Sequence, residues 1–255
     1  MLGAIRTGIG GWVFPPWRGL FYPPGLRQAD ELAFASRHLG AIEINATSQS
    51  FQRPETFARW AAQTPDDFVF SVKAHRLCTN RKVLASAGEA VARFLGQGLA
   101  SLGPRLGPIL WSFMPTKAFD REDFAAFLDL LPPEVAGLPL RHVVEVRHAS
   151  FVDPRFIEMC GRRRIAICLL DHAACPQIDE RTADFSYARL SRGSDEIETG
   201  YPPDQLDAWA DRLRRLASGE GGEGPRDVFA FFINVGKPRA PAAAMALAER
   251  IAAGT

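Results

Sequence analysis

The chain has 255 residues, 47% of them hydrophobic and 23% charged. That length suits one α/β barrel and does not require a second domain, so a single domain over residues 1–255 is expected. Thirty basic against twenty-nine acidic side chains leave a formal net charge of +1, which removes any general pull towards nucleic acid or anionic membrane, and the composition excludes disorder and collagen.

Lysine occurs only at positions 73, 82, 117 and 237, so arginine supplies twenty-six of the thirty cations. Where arginine is the default cation, a lysine in a structurally special place is informative. Cysteines 78, 160, 168 and 175 form no CxxC pair and read as reduced thiols of a cytoplasmic protein. No run approaches the ~20 apolar residues of a membrane span, and Arg6 with several glycines interrupts any signal-like opening.

In chain order, short apolar segments predict strands over 4–9 (AIRTGI), 41–45 (AIEIN), 68–73 (FVFSVK), 107–113 (GPILWSF), 142–147 (HVVEVR), 165–171 (IAICLLD), 185–190 (FSYARL) and 228–234 (VFAFFIN). Amphipathic stretches between and after them predict helices over 30–39, 54–62, 84–99, 121–131, 153–163, 203–217 and 240–252. Strand–helix alternation along the whole chain points to parallel strands joined by crossover helices. Eight such strands in this length predict a (β/α)8 TIM-like barrel. An open doubly wound sheet is the runner-up, but GIGGW at 8–12 lacks the third glycine of a nucleotide fingerprint and leads into an aromatic, proline-rich loop. SGEGGEGPR at 218–226 reads as a surface connection.

Barrel strands alternate between the interior and the helix layer, and functional groups gather at their carboxyl ends. In AIEIN, Glu43 and Asn45 oppose Ile42 and Ile44. In FVFSVK, Ser71 and Lys73 oppose Phe70 and Val72, and in HVVEVR, Glu145 and Arg147 oppose Val144 and Val146. The same parity puts Ser112, Asp171, Arg189 and Asn234 near the ends of later strands. Any one of these charges is explained by a satisfied buried pair, such as Glu145 with Arg147 or Arg189. As a set they point to a polar pocket, because aliphatic layers fill a purely structural barrel more cheaply.

The segments GIGGWVFPPWRGLFYPPGL, EINAT, FVFSVKAHRLCT, LGPILWSFMP, VVEVRHASF, LLDH, YARL and FFINVGKPRAPAAAMAL resemble, in the same order, the motifs of the YecE-like family, known as domain of unknown function seventy-two. The resemblance implies a TIM barrel with a polar pocket at the carboxyl ends of the strands and implies no established activity. Carried over, the pocket positions are Trp12, Trp17, Tyr22, Glu43, Asn45, Lys73, Glu145, Arg147, Asp171, Arg189 and Asn234. The chain departs from the family pattern at Ser48 and Gln49, at Asn80, at Ser112, at Ser191 and at Val235, so the divergence reaches the pocket itself.

Three chemistries fit. The first is a cofactor-free enzyme for a small anionic or sugar-like substrate: Arg147 and Arg189 clamp a carboxylate or phosphate, and Glu43, Lys73, Glu145 and Asp171 supply acid–base and electrostatic groups. Trp12, Trp17, Tyr22, Asn45 and Asn234 line the site, although large aromatics there serve equally well to plug a barrel end. A Schiff-base role for Lys73 ranks lower, since neighbouring carboxylates raise its pKa. The second is a metal-dependent phosphodiesterase or isomerase drawing on Glu43, His75, Glu145, His148, Asp171 and His172, but no ligand spacing pins a metal and the interleaved cations oppose one. The third is a non-catalytic binding protein; Arg76, Arg81, Lys82 and the run Arg162–Arg164 are its basic groups, and the neutral charge balance places nucleic acid last. Nothing in the sequence fixes the oligomeric state.

Overall fold

Strand and helix follow one another as the apolar patterning predicts. In the computed structural model, which describes residues 2–219, 224–233 and 236–254, β1 is Ile5–Gly10, α1 Glu31–Ala35, β2 Ala41–Ile44, α2 Pro54–Ala62, β3 Val69–Lys73, α3 Arg76–Thr79, α4 Gly88–Leu95 and β4 Leu106–Ser112. Then come α5 Arg121–Asp129, β5 Glu134–Val135, β6 Leu138–Pro139, β7 His142–Glu145, α6 Pro154–Arg162, β8 Ala166–Ile167, β9 Leu169–Asp171, β10 Phe185–Leu190, α7 Pro203–Ser218, β11 Asp227–Phe232 and α8 Ala240–Ala253. Apart from the antiparallel β5–β6 pair, the strand pairs are parallel. The fold is mixed α/β, of the TIM-like barrel class.

Three differences from the sequence expectation have local causes. The helix expected over 84–99 is a 3-10 turn, Leu84–Ala87, leading into α4. It ends early because Gly98 has φ +112, and a Cβ there would lie 2.7 Å from Pro54 Cα. The first helix, expected over 30–39, keeps its α-helical part only over Glu31–Ala35. The strand expected over 165–171 is broken at Cys168, whose N–H still donates to Val144 O.

The contacts divide the chain into two compact units. In the unit made of Met1–Glu43 with Phe185–Thr255, β1 pairs with β2 and with β11, and β11 pairs with β10. Helix α8 packs on β1 through small residues: Ala243 and Ala244 are fully buried, and Thr7 Oγ1 donates to Ala244 O at 2.9 Å. Alanine lets the helix backbone come close enough to accept a strand hydroxyl, which a leucine at 244 would prevent.

In the unit Ile44–Asp184 the pairing runs β3, β4, β7, β8. Its core is aromatic. Phe124 on α5 packs with Phe113 (5.2 Å between centroids), Phe151 (5.3 Å) and Phe156 (5.4 Å), and Phe113 with Phe127 (5.3 Å). His142 is buried against Trp111, whose Nε1 donates to Nδ1, while Nε2 donates to Pro132 O; burial holds its pKa below the usual histidine range. Asp120 caps α5 by accepting from Asp123 N at 2.9 Å. Replacing Asp120 by alanine should cost about 1 kcal/mol, read as a lower urea midpoint with unchanged slope; no change would mean that another group takes over the cap.

Candidate functional site

In the Ile44–Asp184 unit, polar side chains stand at the carboxyl ends of successive strands. Lys73 closes β3, half-buried, and its carbonyl accepts from Thr47 Oγ1 at 2.7 Å. Ser112 closes β4 directly opposite Glu145, the last residue of β7. Asp171 closes β9, half-buried. Asn45 follows β2 and holds the short turn Ala46–Ser48 through its carbonyl, which accepts from Ser48 N and Oγ. Two residues beyond Glu145 in an extended chain, Arg147 falls on the same face, as parity requires.

The Glu145–Arg147 pair has a definite polarity. Glu145 is fully buried and its Oε1 accepts from Arg147 Nε at 2.6 Å and Nη2 at 2.5 Å, whereas the arginine side chain keeps 26% of its exposure. The guanidinium is therefore gripped on its inner edge, and no partner among the described residues takes Nη1. Cys175, in the loop after β9, lies close enough to feel both charges. Burial pushes its thiol pKa up and Glu145 adds to this, with Arg147 acting the other way. No local pattern marks Cys175, because the charges that act on it, Arg147 and Glu145, belong to a different strand end.

The histidines weighed as metal ligands have local duties. His75 Nδ1 accepts from Leu77 N, His148 Nδ1 from Ser150 and His172 Nδ1 from Ala174 N. His75 also stacks on Phe51 with centroids 4.3 Å apart, and burial lowers its pKa. Among the described residues no group of three or more His, Cys, Asp or Glu side chains is placed to hold a metal ion.

Glu43 belongs to the other unit and is fully buried there. Its Oε2 accepts from Tyr187 OH at 2.7 Å and its Oε1 from Arg189 Nη2 at 3.0 Å. Tyr187 and Arg189 share a face of β10, as the alternation predicts, but Arg189 is only 2% exposed and so is not an open clamp. Trp17 and Tyr22 are buried as well: Trp17 Nε1 donates to Lys237 O at 2.8 Å and Tyr22 OH to Trp12 O at 2.6 Å. They plug and brace the loop after β1, while Trp12 is half-exposed. Asn234 lies outside the described residues, as does Val235. Of the other departures from the family pattern, Ser48 and Ser191 are buried and Gln49 and Asn80 are exposed.

The comparisons with known proteins agree with this architecture. Two crystal structures of DUF72 family proteins superpose closely. One, from Thermotoga maritima, has a TM-score of 0.75 at 21% identity, covering 99% of this chain and 100% of the other. The other, from Enterococcus faecalis, has a TM-score of 0.75 at 17% identity, covering 97% and 95%. At these identities the likeness concerns the fold. The UPF0759 protein YecE of Escherichia coli K12 is 34% identical over 149 residues, 58% of this chain and half of the relative's own length. The UPF0759 protein YunF of Bacillus subtilis is 26% identical over 203 residues, 76% of this chain and 68% of the relative. The family described as "Protein of unknown function DUF72" matches residues 6–255, from the first strand through the last helix, and the chain therefore belongs to that YecE-like family.

Proposed function

We propose that the strand ends of the Ile44–Asp184 unit bind a small anion, and that the protein is a cofactor-free enzyme acting there by acid–base catalysis. The observation that carries this reading is Arg147. Its inner edge is fixed by a fully buried carboxylate and its outer edge keeps contact with solvent, which is how a protein pre-aims a planar fork of donors at a carboxylate or phosphate. Lys73, at the carboxyl end of β3, is the second cation of the proposed site. Glu145 is fully buried against Arg147, whereas Asp171 is half-exposed and is the proton acceptor and donor of this reading. A small sugar acid or phosphorylated compound has the chemistry such a set recognises.

The metal-dependent reading is less supported, since the candidate histidines spend Nδ1 on local caps. Nucleic-acid binding is less supported again. The run Arg162–Arg164 is paired within its own unit: Arg162 with Glu158, Arg163 with Asp129 and Arg164 with Asp184. No helix among the described residues is long and apolar enough to cross a membrane. The four cysteines are free thiols, which supports a reducing, cytoplasmic setting.

Inorganic phosphate tests the site. At about 100 times its Kd a ligand stabilises by about 2.7 kcal/mol, which for a domain of this size is a rise of roughly 5–10 °C in Tm. The rise is expected in the wild type and should largely vanish in Arg147→Met. Equal rises in both proteins would falsify the anion site. Asp171→Asn separates binding from catalysis: it should retain the phosphate-induced rise and lose any turnover found with small phosphorylated or carboxylated compounds.

A further inference from the structure

The scarcity of lysine makes each of the four amines easy to place. Lys117 Nζ donates to Asp123 Oδ2 at 2.7 Å and to Lys82 O at 2.8 Å. Lys82 is exposed, and Lys73 belongs to the site already described. Lys237 is different. It follows β11, half-buried, and no carboxylate among the described residues pairs with it. Its Nζ stands 4.5 Å from the centre of the Phe14 ring and 5.9 Å from that of Trp17.

The backbone beneath this amine is tightly held. Its carbonyl accepts from the indole of buried Trp17 at 2.8 Å. Gly236 just before it has φ +68, and a Cβ there would lie 2.6 Å from the Gly193 carbonyl carbon, so the segment is pressed against the loop after β10. Pro238 follows. The amine is therefore aimed by main-chain packing and aromatic contact. β1 and β11 are adjacent parallel strands, with Ile9 beside Phe232. The loop bearing Phe14 and Trp17 and the segment bearing Lys237 thus leave the carboxyl ends of neighbouring strands, where barrels carry their chemistry.

An amine serves as a nucleophile only when deprotonated, and carboxylates and water keep most lysines charged. Here no carboxylate among the described residues pairs with the amine, and aromatic rings exclude part of the water. The ring faces favour the ammonium, but they do so less than an ion pair, and burial moves the Lys237 pKa below the usual lysine range. We propose that Lys237 is an amine nucleophile that forms a Schiff base with a small aldehyde or ketone, its apolar part resting against Phe14. The Nζ lone pair forms a bond to the carbonyl carbon. The C=O π pair moves to oxygen, which takes up the proton that nitrogen gives up. The resulting carbinolamine takes up a proton from solvent on its hydroxyl and loses water, which leaves a protonated imine. No oxidant or further reactant is needed. This step rests on none of the residues of the anion site.

The test uses the full chain, butyraldehyde and sodium cyanoborohydride, which delivers hydride to the imine carbon and fixes the adduct as a secondary amine. Peptide mapping then gives the rate at each lysine, with the N-terminal amine counted apart. Lys237 is expected to be alkylated several-fold faster than exposed Lys82. Lys237→Arg, which keeps a cation over Phe14, should lose the fast modification and leave the rates at Lys73, Lys82 and Lys117 unchanged. Modification of Lys237 no faster than Lys82 overturns the proposal, and so does fast modification at Lys73 in its place. The wild-type rates decide the matter even if a variant folds poorly.

Discussion

Arg189→Met is expected to destabilise the protein by about 3–5 kcal/mol, because it leaves a carboxylate buried without its cation. Glu43 is fully buried, and among the described residues its two oxygens accept from Tyr187 OH and Arg189 Nη2. A single hydroxyl cannot replace the lost charge. Removing that hydroxyl alone, in Tyr187→Phe, should cost about 1 kcal/mol. Adding Glu43→Gln to Arg189→Met should recover part of the loss, since the amide brings no charge into the gap. Urea unfolding of the wild type, Arg189→Met, Tyr187→Phe and the Glu43→Gln/Arg189→Met double variant measures these differences. A loss of about 1 kcal/mol or less in Arg189→Met would mean that water or another group reaches Glu43, and would return the pair to the list of candidate ligand-binding groups.

Phe124→Ala is expected to cost a similar 3–5 kcal/mol. The ring is 1% exposed and packs edge-on or tilted against Phe113, Phe151 and Phe156. Those neighbours come from the residue that follows β4, from the turn before α6 and from α6 itself, so they are tied to separate segments and cannot all close on the gap. Phe124→Leu should lose much less, because most of the buried volume stays. Equal costs for alanine and leucine would refute the cavity explanation. The two large variants also bear on domain organisation, since Arg189 and Phe124 lie in different compact units. For the single domain expected from the sequence, each should move one cooperative transition, by roughly 10 °C. A two-step melt in which each variant moves a different step would identify two domains.

Much of this arrangement was legible in the order of residues alone. Strand alternation has a period of two, so a charged residue among apolar neighbours announces its face before anything is known of its partner. That is why the common face of Tyr187 and Arg189, and that of Glu145 and Arg147, agree with the contacts they make. The long strands and the helices α2, α5, α6, α7 and α8 were legible for the same reason: their apolar periodicity extends over enough residues to be unambiguous. The two-residue strands β5 and β6 and the four-residue α3 are too short to carry a period, and they form because the elements on either side position them.

Tertiary structure alone decided which charges face water and which are spent inside. Arg147 and Arg189 look alike in the sequence, each two residues from a residue it shares a face with, yet one retains an open edge and the other is sealed against Glu43. Trp17 and Tyr22 likewise read as stacking surfaces until the loop that carries them folds inward and uses their N–H and O–H on backbone carbonyls. Cys175 and Lys237 acquire their surroundings from segments distant in the chain, Glu145 and Arg147 for the thiol and Phe14 and Trp17 for the amine. Solvation and charge pairing depend on what every neighbouring element contributes within a few ångströms, and no local pattern records that sum.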